Sequence, residues 1–225
     1  MSILKFKCTL LSDIILNQKV ATEGPNATLD FIPGSNFLGI VSNRYDEFDS
    51  KGKAIEVFHS GNVRFGDAHP SLEGSDFRGL KIPASMFYPK LGKLSEELYI
   101  YHSIPNLDDV QLRSKQLKQC RNGFYDFSNI EAKSINIETN FAIKSAYDKH
   151  TRHSKDEQMY GYQSLQKGLV LFFEVEVLDD SLAESIRDGL VGTKRIGRSR
   201  TAQYGLVKIE ECAFNEVKSQ KSEGE

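Results

Sequence analysis

The residues best suited to bind a ligand lie in the glycine-rich, basic segment 192–205, whose sequence is GTKRIGRSRTAQYG. Glycines let backbone N–H groups approach a phosphate closely, and successive N–H groups can form a concave site for an anion. The guanidinium groups of Arg195, Arg198 and Arg200 match phosphate oxygens, and the ring of Tyr204 offers a base a surface to stack on. The segment lacks the spacing of a P-loop. Its composition predicts contact with a nucleic-acid backbone, against the plainer alternative of an ordinary connection between two elements.

Positive charge is concentrated in three segments, although the whole chain has a net charge of −2. Residues 111–125 carry +4, residues 144–155 carry +3 and residues 193–200 carry +4, so the remaining residues carry −13. Any one of these segments alone is explained as a solvated surface. Three such segments on an acidic chain favour binding to phosphates, because each neutralised phosphate releases counterions.

The composition is that of a globular protein with one sizeable core: 225 residues, 39% hydrophobic and 27% charged. The three cysteines, Cys8, Cys120 and Cys212, are odd in number and far apart, which argues against a disulfide framework or a zinc ribbon. The sequence shows neither a signal peptide nor an apolar run of about 18 residues. We therefore expect a cytoplasmic protein with no membrane partner.

Histidines are the residues that would support the enzymatic alternative, an RNA endonuclease that needs a general acid or base near a 2′-hydroxyl. The five histidines are His59, His69, His102, His150 and His153. His150 and His153 are spaced i, i+3, but no cysteine or carboxylate completes a metal-ligand pattern around them. We expect no metal, no other cofactor and no catalytic residue.

The hydrophobic patterns predict the order strand, helix, strand, strand, helix, strand. Alternation predicts strands at 3–11, 134–143, 168–178 and 205–214, with 134–143 and 168–178 paired as a long hairpin. One helix follows Pro33-Gly34, capped by Ser35 or Asn36, and the second follows a capping box at 180–184. This order is α+β, a ferredoxin-like (RRM-type) βαββαβ core in a single domain, residues 1–225. An irregular insertion is expected at about 48–130 and a thumb-like hairpin at about 144–167.

Four motifs, in the same order along the chain, resemble those of the CRISPR-associated RAMP superfamily. They are Phe31-Ile32-Pro33-Gly34-Ser35 with Leu38-Gly39, then Val63–Ala68, then 146–153 with 158–168, and finally Ile196–Gly205. The segments 83–90 and 117–124 look most similar to the type III-D subunit that caps the 5′ end of the guide RNA. The resemblance implies a non-catalytic subunit, because the loop 17–28 lacks the aspartate with which the family's backbone subunits cut RNA.

The resemblance further implies that the partners are the guide RNA (crRNA), the target RNA, the large polymerase-like subunit and the backbone RAMP subunits. Two alternatives are a RAMP endoribonuclease, which cuts target RNA or processes the guide precursor, and a scaffold that binds only protein. The predicted RNA-binding residues are Gly34, Ser35, Asn36, Arg44, Arg64, Arg113, Lys115, Lys118, Arg121, Lys149, His150, Arg152, His153, Lys194, Arg195, Gly197, Arg198, Ser199, Arg200, Gln203, Tyr204 and Gly205.

Overall fold

The fold was analysed in a computed structural model, which describes residues 1–18, 25–91, 99–100, 116–121, 123–128, 133–147, 154–200 and 203–215. The strands are β1 (Ser2–Leu10), β2 (Pro25–Asn26), β3 (Val63–Phe65), β4 (His69–Pro70), β5 (Leu80–Lys81), β6 (Met86–Pro89), β7 (Tyr99–Ile100), β8 (Leu117–Gln119), β9 (Phe124–Asp126), β10 (Lys133–Ile135), β11 (Thr139–Tyr147), β12 (Ser154–Leu165), β13 (Val170–Val177), β14 (Gly192–Arg195) and β15 (Leu206–Glu211). The helices are α1 (Gly34–Val41), α2 (Tyr45–Ser50), α3 (Ala54–Phe58) and α4 (Ala183–Leu190), with 3₁₀ turns at Ser42–Arg44 and Asp180–Leu182.

The core is an antiparallel sheet in the order β14-β15-β1-β13-β3, with β4 also paired to β13. Alternate residues of β1 point to the same face, and Phe6 lies opposite Phe173 in the register. The ring of Phe173 stacks on Phe37 of α1 at a centroid distance of 3.7 Å. The α1 side of the sheet is therefore the hydrophobic core, and the chain is a strand-rich mixed α/β protein with few helices.

The predicted apolar face of the second helix is confirmed, but the predicted caps of both helices are wrong. Leu182, Ile186 and Leu190 are all buried, as their spacing predicts for an amphipathic helix. The side chain of Asp179 accepts from the N–H of Ser181, so the cap lies before the predicted capping box and supports a 3₁₀ turn ahead of α4. At α1 the capping position is Pro33, which contributes no side-chain hydrogen bond.

The other face of the central sheet is covered and charge-paired. The ring of Phe214, beyond β15, lies 5.1 Å from that of Phe172, and both side chains are buried. The ammonium of Lys5 lies 4.4 Å from the centre of the Phe214 ring and donates to its carbonyl oxygen at 3.3 Å. Arg64 pairs with Glu176 across the same face at 3.4 Å. The Arg64 cation on this face is therefore already paired with a carboxylate of the protein.

The long hairpin differs from the one predicted, since β11 pairs with β12 and not with β13. Both sides of β13 are occupied, by β1 on one edge and by β3 and β4 on the other. The expectation that 134–143 lies beside 168–178 is therefore wrong, and two short strands inside the expected insertion take that place. β11, β12 and β2 form a separate three-stranded sheet, while β10-β9-β5 and β7-β6-β8 form two small ones. In the part of the chain that the structure describes, no helix has both the length and the apolar content needed to cross a membrane.

Candidate nucleic-acid interface

The glycine-rich loop between β14 and β15 is held against the segment that follows β1. The N–H of Arg198 donates to the carbonyl oxygen of Ile15, and the N–H of Gly205 donates to that of Asp13, both at 2.9 Å. The N–H of Ile196 closes the loop onto Gly205 at 2.9 Å. These three N–H groups are already bonded to protein carbonyls. The glycines therefore act at these points by permitting close packing, and the anion nest predicted from the sequence cannot use these three donors.

Two of the glycines are required by their surroundings. Gly197 has φ +80° and Gly205 has φ +88°, a region that favours glycine because other residues carry a Cβ. A Cβ on Gly197 would lie 2.6 Å from the carbonyl oxygen of Ile15, and one on Gly205 would overlap the carbonyl oxygen of Ile196. The loop can follow this path only with glycine at both positions.

The arginines of the loop divide into one that organises it and two that are available to a ligand. Arg195 donates through Nη1 to the carbonyl oxygens of Arg200 and Tyr204, and so braces the two ends of the loop. Arg198 is exposed, and its guanidinium carbon lies 5.4 Å from the ring centre of Tyr162 on β12. Arg200 is also exposed. Arg198 and Arg200 are thus the guanidinium groups that the loop presents to solvent.

Lys194 differs electrostatically from these arginines. It lies on β14 opposite the buried Val207, which places it on the helix side of the sheet. Burial lowers the pKa of the Lys194 ammonium, and the neighbouring Arg44 guanidinium lowers it further. Lys194 is therefore a partly buried cation, whereas Arg198 and Arg200 are exposed.

A cleft of about 280 Å³ joins the glycine-rich loop to the start of α1. Gly197 and Arg198 line one side, Pro33 and Asn36 line another, and Asn17 belongs to the segment between them. The remaining lining residues are Ile15, Leu16 and Leu29. Two of the sequence motifs, which are far apart in the chain, therefore meet at one concave surface.

Asn17 is the residue of this cleft that sequence reasoning missed. Its side-chain oxygen Oδ1 is buried and has no hydrogen-bond partner in the described part of the protein. A buried acceptor without a donor is costly, and such groups in native proteins commonly await a water or a ligand. The only sequence signal was a polar residue directly after the apolar run Ile14–Leu16.

The first turn of α1 is positioned by a close contact with β3. The N–H of Gly34 donates to the Asp67 carboxylate at 2.8 Å, and a Cβ on Gly34 would overlap the carbonyl oxygen of Phe65. Ser35 is exposed, whereas the Asn36 amide donates to the carbonyl oxygen of Pro33 at 3.3 Å. The glycine of this motif thus has a packing role, and Ser35 and Asn36 are the residues whose side chains lie at the surface or the cleft.

Three predicted RNA-binding residues have other roles in the structure. Tyr204 is only 6% exposed, so the expectation that its ring stacks on a base is wrong. Arg44 donates to both carboxylate oxygens of Glu47, at 2.7 and 2.8 Å, and to the carbonyl oxygen of Ser185, which ties the turn after α1 to α4. Arg64 lies on the charge-paired face of the sheet.

The remaining predicted residues are either exposed or lie outside the described residues. Lys118, Arg121, Ser199 and Gln203 are described, and all four are exposed. The Lys118 ammonium lies 5.8 Å from the ring centre of Tyr88. The predicted residues outside the described ranges are Arg113, Lys115, Lys149, His150, Arg152 and His153.

The carboxylate of Asp13, whose carbonyl oxygen binds the N–H of Gly205, serves as a structural acceptor. It accepts from the Asn140 amide at 2.8 Å, from the N–H of Lys167 at 3.0 Å and from the Ser164 hydroxyl at 3.4 Å. These bonds join the end of β1 to the base of the β11–β12 hairpin. Within the described ranges, no three His, Cys, Asp or Glu side chains are close enough together to hold a metal ion.

No protein-family model matches this chain, and no curated protein matches it in sequence. Solved structures do. A chain of type III-B Cmr-beta in its apo state superposes with a TM-score of 0.52 at 9% identity, over 93% of this chain and 96% of that one. A chain of type III-B Cmr-beta bound to cognate target RNA gives a TM-score of 0.50 at 12% identity, over 93% of this chain and 60% of that one. At these identities the likeness shows a shared fold.

Proposed function

We propose that this chain is a non-catalytic RNA-binding subunit of a type III CRISPR effector complex, which binds the 5′ handle of the guide RNA. The observation that carries the proposal is the cleft where Gly197 and Arg198 meet Pro33 and Asn36. The RAMP-like motifs of the sequence place RNA-contacting residues in these two segments, and the fold brings the segments to one surface.

The fold supports the assignment to the RAMP superfamily. Four core strands have the order β15-β1-β13-β3, with α1 following β1 and α4 following β13 along the chain. The proposal takes this order to be that of the ferredoxin-like core that the sequence motifs imply. Solved structures that share the fold include chains of type III-B Cmr-beta, one of them bound to cognate target RNA.

The site would hold RNA mainly through its phosphates. Arg198 and Arg200 are exposed on the loop, and the stack of Arg198 on Tyr162 orders a side chain that otherwise loses rotamer freedom on binding. The buried acceptor on Asn17 then offers a hydrogen bond to a base or to a 2′-hydroxyl that enters the cleft. Charge therefore supplies the affinity, and the cleft fixes the position of the strand.

The bonding of Asp13 favours the non-catalytic role over the endoribonuclease. Its carboxylate already accepts hydrogen bonds from three groups of the protein, which gives it a structural role. The Asp30 carboxylate, near the Pro33 turn, lies 4.0 Å from the Lys81 ammonium. Both carboxylates therefore have a structural role in the proposed function, and neither is catalytic.

Contacts with other subunits complete the proposed role. The large polymerase-like subunit and the backbone RAMP subunits are the proposed protein partners, as the resemblance to the type III-D branch implies. The hairpin of β11 and β12 is the proposed thumb, which wedges against the guide–target duplex and interrupts base pairing; its tip at 148–153 lies outside the described residues.

The test is binding of the purified protein to a labelled guide-like RNA across a salt series, with a parallel gel for cleavage. The variant is Arg198→Ala/Arg200→Ala, and the matched control is Lys51→Ala/Lys208→Ala, which removes the same charge elsewhere. Removing one side chain that neutralises a phosphate should lower the slope of log affinity against log salt by about 0.7. We expect a shallower slope for the arginine variant only, and intact RNA throughout.

Two outcomes would contradict the proposal. Cleavage by the wild-type protein would favour the endoribonuclease. Equal salt slopes for wild type and both variants would remove the loop from the interface and favour a protein-only scaffold.

A further inference from the structure

The outer edge of β11 is the longest exposed strand edge of the hairpin sheet. β11 has nine residues and pairs on one side with β12; among the described residues it has no strand on its other side. Its register with β12 runs without interruption from Thr139 to Ser145, and the irregularity begins only after that. The edge therefore presents a regular row of backbone N–H and C=O groups to solvent.

The side chains of this edge are apolar where those of other edges are charged. Phe141 and Ile143 lie on one face of β11, two residues apart, and each is 60% exposed. The five residues from Thr139 to Ile143 contain no charge and no proline. By contrast, β14, an outer strand of the central sheet, has four residues and carries Lys194 and Arg195. Short length and charge are the usual protections of an edge strand, and β11 has neither over this stretch.

We propose that the β11 edge is an interface that pairs with the same edge of a second copy of this chain. Water satisfies this row of backbone donors and acceptors in the monomer. A protein partner can replace that water along the whole row only with another extended strand, which determines the kind of partner. The side chains of β11 are complementary to those of a second β11 strand that pairs with it in the antiparallel direction. With a two-fold axis at Ala142, each Phe141 faces the Ile143 of the other copy.

This pairing brings apolar side chains together and opposes no like charges, the two conditions that stabilise cross-strand pairs. A two-fold pairing uses the same edge in both copies, so it closes at two chains and leaves no β11 edge free for a third. The interface is separate from the cleft and needs no RNA, so it can be tested independently of the proposed function.

Sedimentation velocity of the RNA-free protein over a concentration series tests the interface. We expect the mass to rise with concentration from 25.4 kDa towards twice that value, and no further. Phe141→Lys and Ile143→Lys should each keep the protein monomeric, because they place charge on the pairing face. Ile55→Lys on α3 is the matched control, since Ile55 is 71% exposed and the change is the same; it should associate like the wild type.

Hydrogen exchange of the same samples distinguishes pairing at the β11 edge from a general change in folding. Amides of 139–145 should exchange more slowly at the concentration where the dimer forms, whereas amides of β1 should be unaffected. A wild-type protein that stays monomeric overturns the proposal, as expected if a strand of a different protein occupies this edge. Association that Phe141→Lys and Ile143→Lys leave unchanged, or that continues beyond two chains, overturns it as well.

Discussion

The backbone N–H of Arg198 donates to the carbonyl oxygen of Ile15 at 2.9 Å, which joins the glycine-rich loop to the segment after β1. The bond fixes where the Arg198 side chain leaves the loop, beside the cleft that also contains Asn17 and Asn36. Because the N–H is used, the phosphate-binding capacity of Arg198 lies in its guanidinium group. The proposed RNA interface therefore depends on how this loop packs as well as on its charge.

Gly197→Ala should displace the loop. Alanine at φ +80° is strained, and its Cβ would meet the Ile15 carbonyl oxygen at 2.6 Å. We expect a decrease of about 1–3 kcal/mol in the free energy of unfolding, measured in urea, together with weaker RNA binding. Gly192→Ala is the control, because Gly192 also has a positive φ (+105°) but a Cβ there meets no atom within 4 Å. Equal decreases in both variants would show that the contact with Ile15 contributes nothing.

Replacing Tyr162 should test the stack beneath Arg198. Tyr162→Leu removes the ring that lies 5.4 Å from the guanidinium carbon, and a cation–π contact at such an exposed site contributes about 0.5–1 kcal/mol. We expect RNA affinity to fall by about 2- to 5-fold in a fluorescence titration. Tyr162→Phe keeps the ring and should bind like the wild type. An equally large fall with Tyr162→Phe would point instead to the hydroxyl group.

Asn17→Ala should weaken RNA binding without lowering the stability of the free protein. Removing a buried acceptor that has no partner should leave the free protein as stable as the wild type, or slightly more stable. The same change should weaken RNA binding by about 5-fold, since one hydrogen bond contributes about 1 kcal/mol. Thermal unfolding and RNA titration of one preparation measure both. Unchanged RNA affinity would exclude Asn17 from the interface.

Asp13→Asn should destabilise the base of the hairpin and have no effect on RNA cleavage, which we expect in neither protein. The carboxylate accepts from Asn140, Ser164 and Lys167, and charge-assisted bonds of this kind contribute about 1.5–3 kcal/mol each. We expect a lower midpoint of urea unfolding and faster hydrogen exchange in β11 and β12. RNA cleavage by the wild type that disappears in Asp13→Asn would assign the carboxylate to catalysis and contradict the non-catalytic proposal.

His69 should make stability depend on pH. Burial, and secondarily the Arg78 guanidinium, lower the pKa of His69 below its ordinary value of 6.5. The unfolded chain therefore binds a proton at a higher pH than the folded chain, so stability is complete above pH 6.5 and falls as the pH drops below it. His69→Asn keeps a donor towards the carbonyl oxygen of Gly79, which lies 3.1 Å from Nδ1, and should lack this decline. Urea unfolding at pH 7.5 and 5.5 compares the two proteins, and equal pH dependence would refute the assignment.

Local patterns were sufficient to predict the elements with strong periodicity. The alternation at 168–178 and the spacing of Leu182, Ile186 and Leu190 depend only on which residues face one side of a strand or a helix, so both predictions were confirmed. The partners of each strand depend on contacts distant in sequence. The three-residue strand β3 has almost no periodic signal, yet it lies beside β13 where 134–143 was expected.

The same division applies to the candidate site. The sequence by itself determined that a flexible-backbone, arginine-rich loop precedes the last core strand, because glycine and arginine have these properties in any fold. Only the tertiary structure decided that Tyr204 is buried, that Arg44 is paired with Glu47, and that Asn17 lies in the cleft. Burial and pairing are set by residues far apart in the chain, and a single sequence does not record which of them come together.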